Sequence, residues 1–218
     1  MKLHVLTLAA AFLLASPMQG EPGTIFQVDY SNPSLVPATW TLVLRADGSG
    51  HFHSARGAVV NPSDMRYIEP GNVDRDIRLS DDFTAHVFDV MHRQKRIDEG
   101  CESHLKVAFQ GTKKFTFTTP QGAESCEFNY SKNHEIQSLG ESMVAVASTI
   151  LAGARLELLL QHDPLGLDQE MQYLAEGVKD GRLQQVCAIR GILQKLEDDP
   201  SVMERVRKRA GMLLAESN

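Results

Sequence analysis

The sequence lacks the short motifs that most hydrolases and metal sites share. It contains no H-E-x-x-H, no C-x-x-C and no G-x-S-x-G, which are the spacings of zinc proteases, of thiol metal or redox sites and of serine-hydrolase nucleophiles. Three cysteines in 218 residues are too few for a disulfide framework to replace an apolar core. We therefore expect a domain held by its own core, with no motif that assigns a reaction.

Basic side chains are also scarce. The chain has 22 lysines and arginines against 28 aspartates and glutamates, a formal net charge of −6. Nucleic-acid binding draws much of its affinity from lysine and arginine contacts to phosphates. DNA and RNA are therefore not the partners we expect.

The first residues have the pattern of a secretory signal peptide. Met1 and Lys2 precede the apolar run "LHVLTLAAAFLLAS", which is too short to serve as a membrane anchor. We expect residues 1–20 to be removed on export to the periplasm or the medium, without a transmembrane anchor. The partner we expect is accordingly another protein of the cell envelope.

Alternating apolar residues predict an antiparallel sheet of about five strands. Trp40, Leu42 and Leu44 alternate before Gly48-Ser49-Gly50, and Phe52 follows, which predicts a β-hairpin. Residues 105–109, 115–117 and 126–130 repeat the alternation between glycine-containing turns and predict a three-stranded meander. A short strand is also expected near "DIRL", residues 76–79.

Apolar residues at helical spacing predict five helices. One begins at Ser80, whose hydroxyl can cap a helix followed by two acids, and ends near residue 96. A second runs over 139–162 from a capping box at Ser138 and Glu141. Its Arg155 and Glu157 would each cost about 2.5 kcal/mol or more inside a membrane, so a buried helix is expected.

Three more helices are expected after residue 163. The first is marked from Leu167 to Val178 and ends at residues 179–181, the second is marked from Leu183 to Leu196, and the third begins at Pro200. Short turns between them predict antiparallel neighbours. The fold class predicted is α+β, with the antiparallel sheet covered by the 80–96 and 139–162 helices. We expect an α+β domain over residues 24–162 and a C-terminal helical subdomain over residues 163–218.

The three cysteines cannot all pair. Cys101 and Cys126 share the parity of the core-facing residues in their segments, so we predict a disulfide between them, with Cys187 as a free thiol. A bond between Cys187 and either of the others, which would link the sheet to the helices, stays open as the alternative.

His51 and His53 are the candidate metal ligands. Residues i and i+2 of a strand face the same side with Cα atoms roughly 6.5 to 7 Å apart, but zinc needs three or four protein ligands. The third would be His104 or a carboxylate. We expect two solvated imidazoles and no cofactor, and the alternative is a zinc-dependent hydrolase.

Ser49 is interpreted as a turn residue rather than a nucleophile.

A basic run lies near the C-terminus, with its charges on the polar side of the last helix. The simplest interpretation is a solvated face that complements the helix dipole. The alternative is a surface for anions, anionic lipid or a partner, formed by four residues: Arg205, Arg207, Lys208 and Arg209.

Several stretches resemble known proteins. "VAFQGTKKFTF", "SCEFNYSK", "LLQHDPLGLDQEM" and "MERVRKRAGMLLA" look like those of exported proteins of environmental bacteria, a resemblance that implies export and no particular chemistry. The order hairpin, helix, meander, helix resembles that of emfourin-type secreted protease inhibitors. The segment "LEDDPSVMERVRKRA" is similar to a HEAT-type helical pair and implies a docking surface.

Together these patterns favour an exported, non-enzymatic protein. We expect an interaction module or an inhibitor-like module that uses a sheet edge or the helical surface. The two competing hypotheses are the metal-dependent hydrolase at His51 and His53 and an envelope-associated protein that binds anionic lipid.

Overall fold

A computed structural model describes residues 23–57, 69–94, 97 and 101–216. It consists of a six-stranded antiparallel sheet with helices against one face, followed by a group of helices. The α+β class predicted from the sequence is confirmed. The predicted signal peptide, residues 1–20, lies outside the described residues.

The sheet has the strand order β4-β3-β2-β1-β5-β6, and every neighbouring pair is antiparallel. The first strand of the chain lies in the middle of the sheet, where Val28 is opposite both Leu42 and Phe115. The predicted hairpin and the short strand near "DIRL" are present. The strands are β1 (Ile25–Ser31), β2 (Thr39–Arg45), β3 (Ser49–Ala55), β4 (Val73–Arg78), β5 (Thr112–Thr119) and β6 (Gly122–Phe128).

The predicted meander is wrong in its first strand. Residues 105–109 form no strand, and Leu105, Val107 and Phe109 are 50%, 42% and 56% exposed. The position beside β5 is taken by β1, which pairs with β5 along seven residues. β1 alternates fully buried side chains with half-exposed ones, so it fits a half-buried sheet better than the exposed segment does.

One face of the sheet forms the main core against α1 (Asp81–Arg93) and α2 (His134–His162). As predicted, Ser80 caps α1, because its Oγ accepts a hydrogen bond from Phe83 N at 3.3 Å. The other face of the sheet is not covered by any helix that the structure describes. Fully buried aromatic side chains fill the covered side: Phe26, Phe52, Phe115 and Phe128.

The start of α2 differs from the prediction, and its end agrees with it. Asn133 is the cap, with its Oδ1 accepting from Glu135 N at 3.0 Å and Ile136 N at 3.3 Å. The Ser138 capping box therefore lies inside the helix. By length and composition α2 could cross a membrane, but 56% of its most apolar window is buried inside the protein, as expected for a central core helix.

The two charged residues in the apolar part of α2 are both paired. Glu157 accepts two hydrogen bonds from Arg75 of β4, at 3.1 and 2.7 Å. Arg155 donates from Nε to Glu170 at 2.9 Å and lies 3.8 Å from Glu69. These pairs connect α2 to β4 on one side and to the next helix on the other.

Three more helices pack on the second half of α2. The first is α3 (Leu167–Lys179), with the predicted bounds, and α4 (Arg190–Asp198) and α5 (Glu204–Glu216) follow. α4 begins later than predicted because Gln185 adopts a left-handed conformation with φ +59° and a short 3-10 turn follows. α5 begins at Glu204 rather than at Pro200. Their core is aliphatic and includes Leu156, Met171, Leu174, Ile189, Leu193 and Val206.

Candidate functional site

The two candidate metal ligands lie on the open face of the sheet. Antiparallel pairing of β3 with β4 sets His51 opposite Asp76 and His53 opposite Asp74. His51 Nδ1 is 3.0 Å from Asp76 Oδ1, and His51 Nε2 is 3.3 Å from Asp74 Oδ1. His53 Nδ1 is 2.8 Å from Asp74 Oδ2. The structure therefore gives both imidazoles carboxylate partners that sequence reasoning did not assign to them.

These contacts shift the ionisation of the pair. The hydrogen bond with Asp76 is the main cause that raises the pKa of His51 above its usual value. The pKa of Asp74 is lowered, chiefly by the hydrogen bond from His53. The hydrogen bond with Asp76 thus favours the imidazolium form of His51, and the contact with His53 favours the carboxylate form of Asp74.

The structure does not bring a third imidazole to this cluster. His104 follows Cys101 beside β6, four strand positions from β3, roughly 19 Å away at the usual spacing. Within the described residues, no group of three histidine, cysteine or acidic side chains is placed to hold a metal ion. Both ring nitrogens of His51 already face carboxylates, so zinc binding would require the cluster to rearrange.

Ser49 is the first residue of β3, directly after the hairpin turn. Its Oγ donates to Asp47 Oδ1 at 2.6 Å, and its backbone N donates to the same oxygen at 2.9 Å. Gly48 adopts φ +80° in this turn, a conformation that glycine reaches without steric cost. The hydroxyl is thus committed to closing the hairpin.

The structure places Cys101 and Cys126 at disulfide distance, with Cα atoms 6.2 Å apart. The pair attaches the chain before residue 104 to the edge strand β6, where Ser103 N also donates to Tyr130 O at 2.9 Å. Cys187 is a separate, half-buried thiol, and burial is the main cause that raises its pKa. A thiol of this kind is a weak nucleophile.

The basic run on α5 is largely matched by acids of the same chain. Arg205 Nε lies 3.0 Å from Asp168 Oδ1, and Arg209 Nη1 contacts the same oxygen. Lys208 Nζ is 2.7 Å from Glu204 Oε1, and Arg207 is half-buried. The positive charge available to a lipid or an anion is smaller than the sequence alone indicates, and the lipid hypothesis stays a prediction.

A surface that sequence reasoning missed lies between the β1–β2 loop and α3. Leu35 and Val36 are 50% and 45% exposed, and Tyr173 is 39% exposed. These three side chains surround a cleft of about 280 Å³, and we refer to them with the cleft as the Leu35 surface. The sequence signal is the apolar pair enclosed by prolines in "NPSLVP".

The lining of this cleft combines aromatic and aliphatic side chains with two polar ones. Tyr30 and Trp40 stack in it, with ring centroids 5.0 Å apart and ring planes 12° from parallel, and Leu151 of α2 adds an aliphatic wall. The polar groups beside it already have partners, since Ser148 Oγ donates to Val144 O at 2.8 Å and Arg155 is bound to Glu170. The cleft is thus suited to an apolar group.

The loop that carries Leu35 and Val36 is fixed by its own hydrogen bonds. Asn32 N donates to Ala38 O at 2.8 Å, and Leu35 N donates to Asn32 O at 3.1 Å. The side chain of Asn32 accepts a further bond from Ser34 N at 3.0 Å. Two exposed apolar side chains are therefore presented by an ordered backbone.

Comparison with known proteins gives no function for the chain, so the geometry described above is the basis of the proposal that follows. No protein-family model matches the chain, and no curated protein is significantly similar to it.

Proposed function

We propose that the protein is an exported, non-enzymatic interaction module that binds another protein through the Leu35 surface. The observation that carries the proposal is the pairing of two exposed apolar side chains on a hydrogen-bonded loop with a preformed cleft that is lined in part by aromatic rings. The signal-peptide pattern of residues 1–20 and the cysteine pair at disulfide distance support an exported location.

The shape of the surface favours a protein partner. Contiguous exposed apolar groups on a folded chain mark contact sites, and an aromatic-lined cleft surrounded by them is the usual setting of an interface hot spot. An apolar side chain of the partner would enter the cleft between Leu35 and Tyr173, while Leu35 and Val36 would enter a recess on the partner. Because the loop is already ordered, binding would cost little conformational entropy.

Both edges of the sheet are less suited to this role. β4 alternates Asp74 and Asp76 with buried residues, and charges on an edge discourage pairing with another strand. The edge of β6 is covered by the chain around Cys101, where Ile97 N donates to Glu124 Oε2 at 3.4 Å and Ser103 N bonds Tyr130 O. Leu105, Val107 and Phe109 of that covering segment are themselves 50%, 42% and 56% exposed, so the Leu35 surface is distinguished by its cleft and not by apolar area.

Site-specific photo-cross-linking in the envelope of the producing cell tests the proposal. A photoreactive amino acid at Val36 is expected to give a discrete adduct, whereas the same probe at Leu165, which is 81% exposed and does not line the cleft, is not. The adduct must disappear when Leu35→Asp is added. Equal adducts at both positions, or one unaffected by Leu35→Asp, would contradict the proposal.

The cross-linked protein would then be purified for a quantitative test. Tyr173→Ala and Leu35→Ala are each expected to weaken its binding at least about tenfold, the range of hot-spot residues. Leu165→Ala is the matched control for removing an exposed leucine side chain, and its affinity should stay within about twofold of the wild type. Similar losses in all three variants would reject the Leu35 surface as the contact.

A further inference from the structure

A second cleft lies where the start of α1 meets the helical part of the molecule. It has a volume of about 440 Å³, within the range of pockets that hold small ligands. Its floor is apolar, with Leu183, Val186 and Leu213 between 1% and 8% exposed. The cleft is separate from the Leu35 surface, since the two share no lining residue.

Acidic side chains occupy the rim of this cleft. Asp81 and Asp82 project from the first turn of α1, and Glu216 from the last turn of α5. Among the described residues that line it, there is no lysine, arginine or histidine. Two cations lie just outside the lining. Arg78 Nη2 is 3.5 Å from Asp81 Oδ1, with both side chains exposed, and Arg190 is close enough to Cys187 for its charge to oppose the rise in the pKa of that thiol. The lining therefore carries a net negative charge above an apolar floor.

The cleft does not have the features of an anion site, although a helix begins there. Phe83 N donates to Ser80 Oγ, and Ser80 N donates to Gln185 Oε1 at 2.9 Å, so two backbone donors at this terminus already have partners. Asp81 and Asp82 also compensate the positive end of the helix dipole. An incoming negative group would meet carboxylates rather than open donors.

The acids are also not arranged for a metal ion. Within the described part of the chain, no three acidic, histidine or cysteine side chains converge on one point. Carboxylates spread along a rim match a ligand whose charges are spread as well. The apolar floor matches aliphatic groups between those charges.

We infer that this cleft binds a cationic amphipathic peptide segment, with its lysine or arginine side chains at Asp81, Asp82 and Glu216 and its apolar side chains on the Leu183 floor. Charge complementarity selects this occupant over an anionic or neutral one. The inference goes beyond the proposed function, because it concerns another face of the molecule and another class of ligand.

The cleft contains a built-in reporter. Cys187 lines it and is the one free thiol among the described residues. Its raised pKa makes this thiol slow to react near neutral pH, so alkylation is followed at alkaline pH, where more thiolate is present, and an occupant of the cleft would shield the sulfur. Loss of reactivity at Cys187 therefore reports binding in the cleft and not elsewhere on the acidic surface.

The test uses the acetylated peptide amide Lys-Leu-Lys-Leu as the probe, with Glu-Leu-Glu-Leu as its control. At low ionic strength the lysine peptide is expected to bind the full chain and to slow alkylation of Cys187 by iodoacetamide, and the glutamate peptide to do neither. The variant D81N/D82N/E216Q is expected to weaken binding of the lysine peptide roughly tenfold, since three exposed charge contacts are lost.

A matched variant separates a local effect from net charge. E127Q/D163N/D198N removes the same three charges from positions outside the lining, and its affinity should stay within about twofold because distant charges are screened. Equal weakening in the two triple variants, or binding that leaves Cys187 alkylation unchanged, would overturn the inference. Leu35→Asp should not affect this binding, so failure here and failure of the proposed function are distinguishable.

Discussion

The core beneath the sheet is rich in aromatic side chains, whereas the core of the C-terminal helices is aliphatic. In the sheet, aromatic rings from different strands meet. Phe115 of β5 contacts Phe26 of β1 and Phe128 of β6, with ring centroids 5.0 and 5.1 Å apart. In the helices, the buried residues that the structure describes are aliphatic and come from neighbouring segments of the chain. The sheet core depends on contacts between distant parts of the sequence, and the helical core on contacts between near ones.

The two cores are joined by α2, which contributes to both. Met143, Val146 and Ile150 pack against the sheet, whereas Leu156 and Leu159 pack among the C-terminal helices. An unbroken helix shared in this way transmits the loss of either core to the other. The comparison therefore predicts one cooperative unfolding unit in spite of the two kinds of core.

The largest effects are expected from truncating each core at its centre. Phe115→Ala should lower the free energy of unfolding by about 3 to 5 kcal/mol, and Leu193→Ala by about 2 to 4 kcal/mol, because both side chains are fully buried. Trp40, the only tryptophan, reports the sheet by fluorescence, and far-ultraviolet circular dichroism reports mainly the helices. Both probes should show the same midpoint in urea for each variant.

Different urea midpoints for the two probes would contradict the prediction of a single unfolding unit. If Leu193→Ala lost helical signal at a lower urea concentration than the Trp40 signal, the helices would unfold independently of the sheet. The helical part would then be a separate folding unit, and α2 would not couple the two cores.

The next largest loss of stability is expected from removing the cysteine pair at the edge of the sheet. Replacing Cys101 and Cys126 by serine opens a loop with a sequence separation of 25, which should lower the free energy of unfolding by roughly 3 kcal/mol. Cys187→Ala is the matched control and should change it by less than about 1 kcal/mol. Thiol titration of the denatured, unreduced protein should find one reactive group. Two unreactive thiols that include Cys187 would show a different pairing.

Local patterns were sufficient to predict the helices. Ser80 caps α1 and α3 has the predicted bounds because a helix is specified by residues within a few positions of one another. The errors at helix starts have local causes as well. Asn133 caps α2 five residues before Ser138, and the left-handed Gln185 delays the next helix.

The sheet could not be predicted to the same extent. Residues 25–31 and 105–109 both alternate apolar and polar side chains, and only one of them can pair with the open side of β5. That competition is decided by the pairing of β1 with β5, two segments far apart in sequence. The same limit applies to the candidate sites. Asp74 and Asp76 meet the histidines through sheet register, and the Leu35 surface requires a loop to lie over α2.

A smaller effect tests the contact between α2 and the segment that precedes α4. A Cβ on Gly153 would fall inside van der Waals contact with Ile189 Cγ2 and 3.0 Å from its Cβ. Gly153→Ala should therefore cost about 1 to 2 kcal/mol of unfolding free energy, because the clash exceeds the gain in helix propensity.

Gly191→Ala is the matched control for that substitution. Gly191 is also helical, but a Cβ there would have no atom within 4 Å. Its replacement should be neutral or stabilise by up to about 1 kcal/mol. Stabilisation of both variants by the same amount, measured by urea denaturation, would show that α2 does not pack closely against Ile189.

The smallest effect is a pH dependence that belongs to the sheet. The ion pairs that tie the helices together use arginine, which stays charged at all relevant pH values, whereas His51 titrates. Because the pKa of folded His51 is raised, its contribution to stability is complete below the unfolded value of about 6.5. That contribution is lost as the pH rises through the folded value. Asp76→Asn should remove most of it, since the bond with Asp76 is the main cause of the shift, while Asp74 keeps a smaller part.

The difference in urea midpoint between wild type and Asp76→Asn isolates this contribution from all other titrating groups. The difference should be largest near pH 5.5, because His51 is protonated there and Asp74 is still ionised. The pKa of Asp74 is lowered, so the contribution of Asp74 to stability is lost only at a lower pH. The difference should shrink toward pH 9, where His51 is neutral in both proteins. A difference that stays constant from pH 5.5 to 9 would show that Asp76 acts on packing or solvation and not on the charge of His51. Nuclear magnetic resonance titration of the His51 ring decides the same point directly, because Asp76→Asn should bring its pKa down.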